Sequence, residues 1–468
     1  MHFISPHAKR YQLSVHFDID VRYSYFQEWA IIIVRKVSRM KVLFIHQNFP
    51  GQYLNLAQYL LSQGDAVTGL GEVDNIKRRG TITGTSTVGY PAPQGAGQET
   101  HHYLRSTEAA IRRGQVVARA LLNMRKSGFS PDVIYVHPGW GEGLFVKSVF
   151  PHVPLVMFCE FYFTAGKADV GFDPEFPVGL DQHFAIPIRN APQELSLPRA
   201  DALICPSRWQ ASRYPHCFRQ DIQILHEGVN TSFMTPNTDD SITLERLPEP
   251  GHSRIVTGAV PDEGGPFITL SRKDKVISFV ARNLEPYRGY HAFMRALPEL
   301  QSRNPDVHVL IAGGDGVSYS PVPSGGKSYK SIYLDEVRSS IDFSRIHFVG
   351  HIPYVALRSI FRITSAHIYL TYPFVLSWSL LEALSCGSLL VASDTEPVRE
   401  AITHGKNGLL VDFFDQGALV QTITDALANP RKYDHLRHAA REGVLADYEL
   451  RQCLSRQVAL LRQIAEQK

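Results

Sequence analysis

The run Tyr372-Pro-Phe-Val-Leu-Ser-Trp-Ser-Leu-Leu-Glu382, continuing to Asp394, constrains the fold more than any other part of the chain. An apolar segment, His367 to Thr371, leads into it. A tight loop, a short helix through Glu382 and a stop at Gly387 follow, and then a second apolar segment. That order reads as a β-loop-α-β unit of a parallel sheet. Such a unit sets a helix N-terminus, here near Ser377, at the carboxyl end of a strand, where free N–H groups and the helix dipole attract phosphate. Glu382 falls about one turn into the helix, where a carboxylate can reach ribose hydroxyls if phosphates lie at the tip. The same residues equally suit an ordinary α/β unit with a solvated Glu382, because a fold does not dictate a function.

The alternation extends through most of the chain. Strands are expected at Lys41–His46, Ala66–Leu70, Asp132–Val136, Pro154–Cys159, Ala202–Cys205 and Ile222–Leu225, then again at Val276–Val280, Val307–Ile311, Ile346–Phe348, Leu389–Val391 and Gly408–Val411. Amphipathic helices lie between them, which implies βαβ units and parallel sheets. At 468 residues the chain is too long for one ordinary core and suits two such domains. The expected division is a leader at 1–39, a first domain at 40–236, a Pro/Gly/Asp/Ser-rich linker at 237–266, a second domain at 267–445 and a last helix at 446–468. The Gly/Thr-rich stretch 78–100 reads as irregular, and the Ser/Pro/Gly/Tyr-rich stretch 316–330 as a mobile surface loop.

Composition excludes several classes. Apolar content of 44% with 20% charged residues is that of a soluble globular protein. A formal net charge of +3 gives no case for nucleic-acid binding. The five cysteines are scattered without C-x-x-C spacing, which argues against zinc or a disulfide framework and fits a reducing cytoplasm. Arg105, Arg112, Arg119 and Lys126 recur every seven residues with Arg113 and Arg125 beside them, opposite Ile111, Val117, Leu121 and Met124. This basic stripe is either a solvated face or a contact for an anionic membrane surface or lipid-phosphate-linked acceptor.

Four further segments add specificity. Phe279-Val-Ala-Arg282-Asn-Leu-Glu-Pro-Tyr-Arg288-Gly289, Ser344-Arg-Ile-His-Phe-Val-Gly350-His-Ile-Pro-Tyr354, Asp394-Thr-Glu-Pro-Val-Arg-Glu400 and Gly405-Lys-Asn-Gly408 surround the central run. In this order they resemble the donor domain of the retaining glycosyltransferases of family 4. The resemblance implies a GT-B fold, two Rossmann-like doubly wound domains facing an interdomain cleft, with the last helix crossing back onto the first domain. It implies transfer of a sugar from a nucleotide-diphosphate donor to a glycan, lipid-linked or small-molecule acceptor, with retention and with no metal or other cofactor. A non-catalytic nucleotide-sugar-binding or scaffold protein, and a GT-B epimerase or phosphorylase, are the alternatives.

On that resemblance the donor would be held by Gly51, Arg282, Arg288, His351, Ile352, the backbone of Val375, Leu376 and Ser377, and Glu382. His137, which caps the Val133–Val136 segment, and Glu160, at the end of the next one, are the catalytic candidates. His137 is equally well read as a structural histidine. One departure stands out. The family places a second glutamate eight positions before Glu382, where this chain has Phe374. A phenylalanine facing the cleft cannot accept the bond from a sugar hydroxyl that the carboxylate would take, so the donor sugar is expected to be held otherwise.

Overall fold

The computed structural model describes residues 39–166, 168–256 and 265–467. Apart from Arg39, the expected leader lies outside the described residues. Residues 40–468 form one unit, described here by itself.

Its first half is a parallel sheet of β1 (Lys41–Ile45), β2 (Ala66–Glu72), β3 (Ser86–Tyr90), β4 (Val133–Val136), β5 (Leu155–Phe158), β6 (Ala202–Cys205) and β7 (Ile222–Ile224). The spatial order is β3-β2-β1-β4-β5-β6-β7. Side chains alternate across β1 and both faces are covered, as a parallel sheet requires. Leu43 and Ile45 pack with Val117 and Leu121 of the helix Arg105–Lys126. Val42 and Phe44 pack on the other side with Leu454 and Leu461 of the last helix, Leu450–Glu466.

A small antiparallel sheet comes next, built from β8 (Ser241–Arg246), β9 (Ser253–Ile255) and β10 (Phe267–Ser271) in the order β10-β8-β9. Two of these strands occupy the stretch expected as a linker. Pro248, Pro250 and Gly251 form the turn between them, and the turn chemistry hid the short strands on either side. The edge strand β3 was hidden likewise, in the stretch read as irregular. It is Ser/Thr/Gly-rich and only partly buried, so it carries no apolar alternation.

The second half is a parallel sheet of β11 (Val276–Asn283), β12 (His308–Gly314), β13 (Ile346–Gly350), β14 (Ala366–Tyr369), β15 (Leu390–Ser393) and β16 (Leu409–Val411), ordered β13-β12-β11-β14-β15-β16. Each large sheet therefore reverses strand order once, between β1 and β4 and between β11 and β14. A crevice opens outside the strand ends at such a reversal, and ligands of open α/β sheets bind there.

Two crossings join the halves. The Val229 N–H donates to the Tyr448 carbonyl (2.8 Å) and the Leu450 N–H to the Val229 carbonyl (3.0 Å), so outgoing and returning chain are paired. Further contacts hold the halves together. Glu400 accepts the N–H groups of Arg208 (2.7 Å) and Trp209 (2.8 Å), and Glu396 accepts the Trp209 indole N–H (2.8 Å). Asp173, in the segment after β5, accepts from the Tyr372 hydroxyl (2.6 Å) and bonds His291 (2.8 Å).

Candidate functional site

The strand ends at the two reversals line one cleft of about 1410 Å³. The loops after β1, β4 and β5 carry Gly51, His137 and Glu160 to its wall. Those around β11, β13 and β14 bring Arg282, Arg288, His351, Ile352, Val375, Leu376, Ser377 and Glu382 to the same cleft.

Arg282, near the end of β11, is exposed and has no ion-pair or hydrogen-bond partner among the described residues. Arg288 is only 9% exposed, and its Nη1 donates to the Val375 carbonyl (2.9 Å) and the Thr371 hydroxyl (3.3 Å). The guanidinium thus braces the loop that leads into the helix Trp378–Ser385. The turn after Arg288 needs Gly289, whose φ is +68° and whose Cβ would stand 2.2 Å from that of Leu370.

At the helix tip, the N–H groups of Val375 and Leu376 have no acceptor among the described residues. Ser377 differs from expectation. Its N–H donates to the Tyr369 hydroxyl (2.8 Å), and its hydroxyl caps the helix by accepting from the Ser379 N–H (3.3 Å). The loop before the cap therefore offers free backbone donors, among them those of Val375 and Leu376. Glu382 is 8% exposed and its Oε1 accepts from the Tyr354 hydroxyl (2.7 Å). Burial raises its carboxyl above the usual range, and the Tyr354 bond offsets part of that. Its second oxygen has no protein donor among the described residues. His351 approaches so closely that a Cβ on Gly314 would lie 2.3 Å from its Nε2, so Gly314 gives room to a cleft residue.

Phe374 does not stand free in the cleft. It is 5% exposed and packs on Phe161 (ring centroids 4.6 Å apart), Tyr319 (4.7 Å) and Tyr287 (5.4 Å). Tyr319 belongs to the stretch expected as a mobile loop. That end of the loop is fixed, because Glu285 accepts the consecutive N–H groups of Ser318, Tyr319 and Ser320, each at 3.0 Å. Tyr319 and Tyr354 were missed as site residues. A lone tyrosine in a polar stretch has no spacing signal, and only the anchored loop or the neighbouring helix reveals it.

The other wall centres on His137. The Gly139 N–H donates to Nδ1 (3.1 Å), so the proton of the neutral ring sits on Nε2 and is given to Glu160 Oε2 (3.1 Å). Trp140 stacks on the ring (4.3 Å), which fixes its plane. Burial alone would raise the Glu160 carboxyl. The His137 bond and the charges of Arg282 and Arg288 outweigh it and hold the group below the usual carboxylate range. Two more groups on this wall went unread in the sequence. Arg79 has no ion-pair partner among the described residues. Glu227 is pushed up to about 7, mainly by burial and also by the charge of Glu160.

Two other clusters are largely paired within the protein. Asp173, Glu175 and His291 have metal-ligating spacing, but Asp173 is bonded to His291 and Tyr372, and Glu175 is paired with Arg295 at 2.6 Å. On the basic helix, Arg112 pairs with Glu108 (2.5 Å), Arg113 with Glu72 (2.8 Å), and Arg125 bonds the Val149 carbonyl (2.6 Å). Arg119 and Lys126 are left without partners among the described residues, and Ile111 is exposed rather than part of the buried face.

A family profile described as glycosyl transferase family 4 group matches residues 63–234, and one described as glycosyl transferases group 1 matches residues 265–443. The chain is 25% identical to a D-inositol 3-phosphate glycosyltransferase of Mycolicibacterium smegmatis, over 52% of this chain and 48% of that protein. It is 26% identical to a GDP-mannose-dependent alpha-(1-6)-phosphatidylinositol monomannoside mannosyltransferase of the same organism, over 54% and 59%. It spans about half the length of the curated relatives it matches. Among solved structures, sucrose-phosphate synthase from Thermosynechococcus elongatus superposes with a TM-score of 0.67 at 16% identity, covering 92% of this chain and 100% of that one. Anabaena Alr3699/HepE in complex with UDP-glucose gives 0.60 at 15%, covering 92% and 99%. At these identities the likeness is one of fold.

Proposed function

The chain belongs to the glycosyltransferase family 4 group, with the GT-B fold, and from that premise we propose that it transfers a sugar from a nucleotide-diphosphate donor, with retention and without a divalent metal. One observation carries the reading. Arg282, Arg288 and the free N–H groups at the helix tip line the same cleft as the His137–Glu160 pair on the opposite sheet.

The chemistry follows from that placement. When the bond from the anomeric carbon to the diphosphate breaks, negative charge builds on the departing phosphate. Fixed cations and N–H groups that need no reorganisation stabilise it. Arg282, with Arg79 across the cleft, supplies unpaired positive charge, and Arg288 holds the loop that presents the N–H groups of Val375 and Leu376. Glu382 has one oxygen left for the ribose, while Tyr354 orients the other. A Glu160 held below the usual carboxylate range is a weak base. It is better suited to stabilising positive charge on the sugar than to taking the acceptor's proton. His137, locked by Gly139 and Trp140, positions it.

The acceptor is a glycan, a lipid-linked molecule or a small molecule. Relatives named for inositol phosphate and phosphatidylinositol mannoside acceptors, together with the unpaired Arg79, favour one bearing phosphate. Among the described residues no helix is long and apolar enough to cross a membrane.

The test incubates the chain with uridine-, guanosine- and adenosine-diphosphate hexoses, with and without inositol phosphate, and follows nucleoside diphosphate release. Slow release alone, accelerated by acceptor, is expected. Binding without any release identifies a non-catalytic binder, and interconversion of the donor without release identifies an epimerase.

A further inference from the structure

A line of aromatic rings runs along the cleft between two guanidinium groups. Tyr319 meets Phe374 (4.7 Å), Phe374 meets Phe161 (4.6 Å), and Phe161 meets Phe163 (5.2 Å). Arg288 lies over Tyr319 at 5.2 Å, and Arg189 over Phe163 at 3.5 Å. All four rings line the cleft. The Phe161–Phe374 junction joins the halves: Phe161 follows Glu160 on the first, and Phe374 lies one residue before the carbonyl-bonded Val375 on the second. The junction thus sits in the cleft between Glu160 and the loop that carries Val375, and neither ring can donate or accept a conventional hydrogen bond.

We propose that this wall selects the donor sugar and that the sugar is a deoxy sugar, presenting carbon-bound hydrogen or a methyl group where an ordinary hexose carries a hydroxyl. The inference rests on the donor reading above. A hydroxyl pressed against the junction would lose its water partner and gain none, whereas a C–H or methyl edge gains contact with two rings. Tyr287 backs Phe374 (5.4 Å) and Trp209 backs Phe161 (6.0 Å), so the rings cannot swing away to let water in. Apolar walls reject an added hydroxyl by about a hundredfold at most, so the expected selectivity is substantial without being absolute.

The experiment first finds which of uridine, guanosine, adenosine and thymidine diphosphate binds most tightly. Glucose, galactose and mannose linked to that nucleotide, each with its 3-, 4- and 6-deoxy counterparts, are then titrated calorimetrically. One deoxy donor should bind about ten- to a hundredfold more tightly than its parent. Phe374→Glu should reverse the preference. Should that variant fail to fold, Tyr319→Ala decides, since Tyr319 is 41% exposed on the loop and its removal shortens the wall; the preference should shrink severalfold. Parents that bind as tightly as every deoxy counterpart overturn the proposal, as does a preference that Tyr319→Ala leaves untouched. Binding of no nucleoside diphosphate defeats the donor reading as well, which separates the two failures.

Discussion

Arg282, Val375 and Leu376 on one wall of the cleft keep donors that no described protein group accepts, whereas His137 and Glu160 on the other are bonded to each other. Glu382 belongs with the first set: Tyr354 takes one oxygen and leaves one. A wall with unmatched donors gains energy by taking in an anion, because those groups otherwise face only water. The His137–Glu160 pair, matched to itself, gains little from binding, but it holds a fixed charge at a fixed place. The contrast assigns affinity to the second-half groups and orientation to the His137–Glu160 pair.

The largest effect should come from Arg288→Ala. It removes a charge-assisted contact worth about 1.5–3 kcal/mol and releases the Val375 carbonyl. Affinity for a nucleoside diphosphate should fall by roughly ten- to a hundredfold while affinity for the nucleoside changes little. Arg282→Ala should cost less, because that side chain is solvated and braces nothing. Equal losses for nucleoside and diphosphate would erase the contrast.

Glu382→Ala should come next, at about tenfold, with a specific signature. The preference for a ribonucleotide over its 2′,3′-dideoxy counterpart should vanish. A preference that survives would move the ribose away from this helix.

Glu227 sharpens the contrast through pH. Its carboxyl is pushed up to about 7 in the folded chain, above the usual value near 4.5. The unfolded chain therefore releases this proton first, and stability falls as pH rises from about 4.5 to about 7, by about 3 kcal/mol in all. Glu227→Gln should match the wild type in urea at pH 4 and exceed it at pH 8. An identical difference at both pH values would contradict the buried, proton-retaining carboxyl.

The smallest effect concerns the basic helix. Arg119→Gln with Lys126→Gln should weaken flotation with anionic vesicles severalfold at low salt, and both proteins should detach at high salt. Wild-type protein that does not float at low salt leaves these residues as a solvated face.

The same contrast explains what could be read in advance. The second-half wall is built from chain-local features, a strand, a tight loop and a helix tip, so the place of Glu382 beside the cleft was legible from the residues, and that of Arg282 and Arg288 from the family resemblance. Both parallel sheets were legible too, because buried strands are continuous apolar runs. The first-half wall is assembled by contacts between distant segments. That His137 faces Glu160 depends on the order of β4 and β5, and that Phe374 meets Phe161 depends on how the halves close. Neither can be inferred from neighbours in sequence. The helix Leu180–Ser196 escaped notice for a local reason: it contains Pro187 and Pro192, which ordinarily end a helix.

The division of labour between the walls is tested most directly by Glu160→Gln, with nucleoside diphosphate affinity and sugar transfer measured on the same preparation. Affinity within about twofold of the wild type, with transfer reduced by tenfold or more, is the expected result, since the lost charge acts on the sugar rather than on the phosphates. Affinity reduced as far as in Arg288→Ala, with turnover of bound donor unchanged, would contradict it.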